Sequence, residues 1–77
     1  MNDKRVPKFK KNDIVVCIDI SHGKNVTIGK KYEVKFSNYT YVNIFDDFGN
    51  YREYKASCFL SLKEYRKQKI NNLINIL

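Results

Sequence analysis

With 77 residues, 43% of them hydrophobic and 30% charged, the chain has room for one small domain and excludes a two-domain enzyme, a disordered tail and a membrane protein. Its 15 Lys and Arg against 8 Asp and Glu leave a net charge of +7. Residues 1–11 carry a net +4 (Lys4, Arg5, Lys8, Lys10 and Lys11 against Asp3) and residues 63–69 a net +3, while the stretch between them balances to zero. The excess charge therefore sits on an N-terminal arm and a C-terminal segment. There it can meet a polyanion or simply keep a small protein soluble.

The first residues, Met1 to Pro7, are charged with no apolar run behind them, so no secretory signal is expected and a soluble, cytoplasmic protein is the default. Nowhere do 18 apolar residues follow one another as a membrane span requires. Cys17 and Cys58 lie in hydrophobic contexts where a free thiol packs as a small apolar group. One His and two scattered Cys cannot supply a tetrahedral metal site, so neither metal nor cofactor is expected.

Taken in order, residues 12–60 read as strands. Residues 13–19 form a β-branched run, with Ile14, Val16, Ile18 and Ile20 expected on one buried face. Ser21 to Asn25 is turn chemistry, His22 reading as a solvated turn residue, and Gly29 marks a bend. In residues 31–36, Tyr32, Val34 and Phe36 are expected to point inward and Lys31, Glu33 and Lys35 outward. Ser37 and Asn38 connect this strand to residues 39–45 as a hairpin. There Val42 and Ile44 suit the core, which leaves Tyr39, Tyr41 and Asn43 on the other face. Residues 46–50 form a second turn in which Asp46 and Asp47 read as capping or solvated groups, and residues 51–54 return as a strand. Four or five antiparallel strands joined in sequence predict a mainly β protein, a small barrel whose closure removes exposed edges.

The period changes after residue 60. Ser61 with Glu64 forms a capping box, and Leu62, Tyr65, Ile70, Leu73, Ile74 and Leu77 recur at helical spacing, so residues 61–77 are expected to form an amphipathic helix. Its apolar end, Ile70, Leu73, Ile74 and Leu77, packs back on the barrel, or serves a homodimer or a partner.

The succession Val15-Val16-Cys17-Ile18, Thr27-Ile28-Gly29-Lys30-Lys31-Tyr32-Glu33-Val34, Ile44-Phe45-Asp46-Asp47-Phe48-Gly49-Asn50 and Tyr54-Lys55-Ala56-Ser57-Cys58-Phe59 resembles a group of small Src-homology-3-like barrel proteins common in bacteriophages and prophages. The resemblance covers about residues 12 to 60. It implies a bend at Gly29, a turn at Gly49, and a short helical turn at Ala56-Ser57-Cys58 that places Phe59 in the core. It also implies a noncatalytic binding module acting in a bacterial cytoplasm. Members often carry Pro where this chain has Lys55 and a basic residue where it has Cys58, so a ligand groove at those positions is not carried over.

Nothing in the chain arranges a nucleophile with a base or a Gly-rich phosphate loop, and no catalytic residue is expected. What remains is binding. Tyr39 and Tyr41 beside Lys31, Lys35, Arg52 and Lys55, with Lys8, Lys10 and Lys11 on the arm and Arg66 and Lys67 on the helix, suit stacking on unpaired bases with cations along the phosphates. The same residues suit an interface with a host protein that such a module would modulate.

Overall fold

The computed structural model describes residues 6–21 and 23–76, with 71–76 described by backbone alone. His22 and Leu77, and the side chains of Leu73 and Ile74, thus lie outside the described set. Strands β1 (Ile14–Cys17), β2 (Lys31–Glu33), β3 (Phe36–Ser37), β4 (Tyr41–Phe45) and β5 (Tyr51–Lys55) are followed by a 3-10 turn (Ala56–Cys58), β6 (Phe59–Ser61) and helix α1 (Leu62–Ile76). They form two three-stranded antiparallel sheets, ordered β2-β1-β6 and β3-β4-β5. The count exceeds the expected four or five because the second strand divides between the sheets and Phe59–Ser61 forms a strand of its own.

The division lies at Lys35. The Val34 amide donates to Asp13 O at 2.8 Å, on the β1 side, while the Lys35 amide donates to Asn43 O at 2.9 Å, on the β4 side. A bend at Lys35 shifts the alternation by one residue, so Tyr32, Val34 and Ser37 are buried and Phe36 is 53% exposed. The expected inward Phe36 is thus corrected: a period of two holds only while the strand stays straight.

The expected inner face of the first strand is corrected as well. Register places Val15 opposite Tyr32 and Cys17 opposite Phe59, all four in the core, so the odd positions face inward. Ile14, Ile18 and Ile20 are exposed, the last two because β1 ends at Cys17. Val16 alone of the expected set is fully buried, on the face away from the core, where α1 packs against β1 and β6.

The core joins both sheets through Val15, Cys17, Tyr32, Val34, Val42, Ile44, Tyr54 and Phe59, with Phe9 inserted from the N-terminal segment. Phe59 is fully buried, and its ring meets Tyr32 and Tyr54 edge-on at 6.0 Å each. Cys17 and Cys58 are both buried. Gly29 and Gly49 adopt positive φ (86° and 82°), the left-handed conformation that their turns require of glycine. Ser61 caps α1, its hydroxyl accepting from the Glu64 amide at 3.1 Å. No helix among the described residues is long and apolar enough to cross a membrane.

Candidate functional site

The outer face of the second sheet follows from the alternation in β4 and β5. Because Val42, Ile44 and Tyr54 point inward, residues 41, 43 and 45 and residues 51, 53 and 55 point outward. Register sets them in three rows: Tyr41 opposite Lys55, Asn43 between Phe36 of β3 and Glu53, and Phe45 opposite Tyr51. Phe36, Phe45 and Tyr51 are about half exposed, and the Phe45 and Tyr51 rings meet edge-on with centroids 5.5 Å apart. The Lys35 ammonium stands 5.7 Å from the Phe45 centroid and 3.4 Å from a Glu33 carboxylate oxygen. Rings on a solvated sheet face leave apolar surface uncovered.

The β3–β4 turn that carries Tyr39 is built on Asn38. Its side-chain oxygen accepts from the amides of Thr40 (2.9 Å) and Tyr41 (2.7 Å), and its own amide donates to Tyr41 O at 2.9 Å. This is the local side-chain-to-backbone bonding that favours Asn in turns. The Lys8 amide donates to Asn38 O and the Lys8 ammonium to Ala56 O, both at 3.3 Å, which brings the N-terminal segment against the turn. Lys8, Tyr39, Thr40 and Lys55 with Ala56 and Ser57 line an open groove of about 510 Å³. A second groove of about 370 Å³ is lined by Val6, Pro7, Phe9 and Phe36 together with Lys10, Lys11, Lys35 and Ser37.

The structure therefore gathers Lys8, Lys10, Lys11, Lys35, Tyr39, Tyr41 and Lys55 on and around one face. Lys31 lies on the other sheet, and Arg66 and Lys67 stand exposed on α1. Arg52 is engaged in the fold itself, since its Nε donates to Asp46 Oδ2 at 2.9 Å. Phe36, Phe45 and Glu53 belong to the face although the sequence did not single them out. Phe45 and Glu53 were readable by extending the alternation from Tyr41 and Tyr51, whereas Phe36 was hidden by the bend.

Asp46 and Asp47 hold the β4–β5 turn beside this face. Asp46 is buried and accepts from the amides of Phe48 (2.9 Å) and Asn50 (2.8 Å) as well as from Arg52. Burial pushes its carboxyl up, but the two amides and the guanidinium outweigh that, and the group stays below its ordinary value. Asp47 reaches the long loop between β1 and β2. It accepts from the Lys30 ammonium and the Tyr32 hydroxyl, each at 2.8 Å, and from the Thr27 hydroxyl at 2.7 Å. Lys30 first, then Thr27 and Tyr32, hold its carboxyl down at about 2, against an ordinary 3.8. Burial pushes the Tyr32 phenol up to about 12, so it remains a donor at neutral pH.

The Asp47 pKa is lowered on folding, so its stabilisation is complete above 3.8 and is lost as pH falls toward 2. We expect residues 25–30 to detach from the 46–50 turn across that window, seen as loss of amide-exchange protection at Asp47. Asp47→Asn should lower the melting temperature at pH 7 and flatten the acid limb of the stability curve. An unchanged acid limb would remove the tether from the account of stability.

Among the described residues no group of three His, Cys, Asp or Glu is placed to hold a metal ion. Comparison with protein families, with curated proteins and with solved structures finds no match to this chain.

Proposed function

We propose that this chain is a noncatalytic module that binds single-stranded nucleic acid on the outer face of the β3-β4-β5 sheet. The observation that carries the reading is the placement of Phe36, Tyr41, Phe45 and Tyr51 on one exposed sheet face, with Lys35 and Lys55 among them and Lys8, Lys10 and Lys11 at its border. Bases stack on rings whatever their identity, and cations follow the phosphates. Residues 41 to 45 of an extended strand span roughly 13 Å, in keeping with the two or three bases that an aromatic sheet face stacks. The carboxylates of Asp46 and Asp47 are taken up in turn structure, which supports a module without catalysis.

The same proposal takes the fold to be a Src-homology-3-like barrel. In support, β2 and β3 are halves of one bent strand shared by the two sheets, and a 3-10 turn leads from β5 into the strand that returns to β1. With the sequence resemblance, this suggests a phage or mobile-element protein working in a bacterial cytoplasm. A second reading, a host protein held and modulated by the same face, draws on the apolar residues Val6, Pro7, Phe9 and Phe36 that line the groove. The exposed Ile70 on α1, which packs against the other sheet, would offer such a partner a second contact or support a homodimer.

The test is a titration of labelled single- and double-stranded oligonucleotides at about 50 and about 200 mM salt. Five lysines on phosphates give a slope near −3.5 for a single strand, so affinity should fall roughly 100-fold between the two conditions. Micromolar or tighter binding with a single-strand preference is expected. Absence of binding at the lower salt would overturn the proposal in favour of the protein partner.

A further inference from the structure

Glu53 is out of place on a surface that holds a polyanion. Other described carboxylates are engaged within the fold. Asp13 and Asp19 accept from the amides of Lys10 and Ser21, Glu33 pairs with Lys35, and Asp46 and Asp47 build the β4–β5 turn. Glu64 lies in the first turn of α1, where a negative charge is favoured. Glu53 is exposed, and its carboxylate enters no hydrogen bond or ion pair among the described residues. It occupies the middle row of the aromatic face, directly opposite Asn43, with the Tyr41–Lys55 row on one side and the Phe45–Tyr51 row on the other.

We propose that Glu53 and Asn43 read the edge of a base stacked on this face and select guanine, an inference that rests on the nucleic-acid reading above. An ionised carboxylate only accepts hydrogen bonds, and an amide side chain both donates and accepts. The Watson–Crick edge of guanine offers two adjacent donors, N1–H and N2–H, next to one acceptor, O6. Glu53 matches the two donors in a bidentate pair and the Asn43 NH2 matches O6. Adenine, cytosine and thymine each present a single donor on that edge, so none satisfies both carboxylate oxygens. Residues directly opposite in an antiparallel pair have Cβ atoms about 5 Å apart, a separation that lets both side chains address one base edge. Recognition of this kind is the one that unpaired bases allow, because their edges are not consumed by a complementary strand.

The experiment compares a labelled 12-nucleotide all-thymine DNA with a strand of the same length in which guanine alternates with thymine, so that no run of guanines can associate. The full chain should bind the guanine-containing strand about tenfold more tightly, within the range that a bidentate side-chain-to-base pair supplies. Glu53→Gln keeps the shape and removes one acceptor and the charge. It should bring the two strands to equal affinity while binding the all-thymine strand at least as well as the parent does. Equal binding of both strands by the parent, or a guanine preference that survives Glu53→Gln, would overturn base reading and leave the aromatic platform standing. Failure of both strands to bind at about 50 mM salt, where phosphate contacts are strongest, would overturn the platform and this inference together.

Discussion

Replacing Phe45 and Tyr51 together by alanine is expected to weaken single-strand binding by at least tenfold and to leave the protein folded. Stacking of a base on an aromatic ring is worth about 1–3 kcal/mol by alanine substitution, and 1.4 kcal/mol is a factor of ten in affinity. Both rings are about half exposed and stand outside the core cluster, so their loss opens no cavity there. Their edge-on contact does contribute to the fold, by about 0.5–1.5 kcal/mol. A modest drop in melting temperature should therefore accompany the binding defect. Fluorescence anisotropy at about 50 mM salt, with a thermal melt of the same sample, separates the two effects. A variant that melts lower but binds as the parent does would make these rings a structural pair and move the binding surface elsewhere.

The other large effect is on stability. Phe59→Ala removes a fully buried ring at the meeting point of Tyr32 and Tyr54, in the strand that leads into α1. Truncating a core Phe costs about 3–5 kcal/mol. At the usual 0.05–0.15 kcal/mol per residue, the whole domain has about 4–12 kcal/mol to lose. Phe59→Ala should thus lose at least about a quarter of the domain's stability, with a urea midpoint lowered in proportion, and should be largely unfolded where the parent's stability is at the low end of that range. Phe59→Leu keeps most of the volume and should remain folded with an intermediate midpoint. A loss below about 1 kcal/mol in Phe59→Ala would mean that the core closes over the gap, contrary to the close packing of protein interiors.

How much of this the sequence discloses depends on whether a signal is local. Val42 and Ile44 were legible as core positions because β4 is straight and flanked by strands on both sides, so a period of two runs through it undisturbed. Gly29, Gly49 and Ser61 were legible because a positive φ and a helix cap are properties of one or a few residues. Phe36 was misread because one bend at Lys35 inverts the alternation, and the amides that mark it bond to Asp13 and Asn43, both distant in the chain. Ile14, Ile18 and Ile20 were misread because β-branched residues predict extended backbone without saying which side is inside. In β1 that side is fixed by Tyr32 and Phe59 across the register. The Asp47 tether had no local signature, since its partners lie 15 to 20 positions earlier in the chain. The candidate face was half legible: its tyrosines and lysines stood out by type and the alternation extends to Phe45 and Glu53, while Phe36 was hidden by the bend and the placement of Glu53 opposite Asn43 required the register of β4 on β5.

The N-terminal segment, expected as an arm, is fixed from Lys8 onward. Phe9 is in the core, Lys8 is bonded to Asn38 and Ala56, and the chain turns back through a Lys10–Asp13 turn into an Asn12 amide bond to Val34. Lys8, Lys10 and Lys11 consequently have backbones that are already ordered. A free basic tail would lose about 1–2 kcal/mol of conformational entropy for each residue it immobilised on a ligand, offsetting much of the attraction its charges provide. Here that loss is incurred when the domain folds, so an incoming anion meets ammonium groups whose positions vary only by side-chain rotation. Under the proposed function the segment is a preformed electrostatic rim, and association with it requires no ordering of the main chain beforehand.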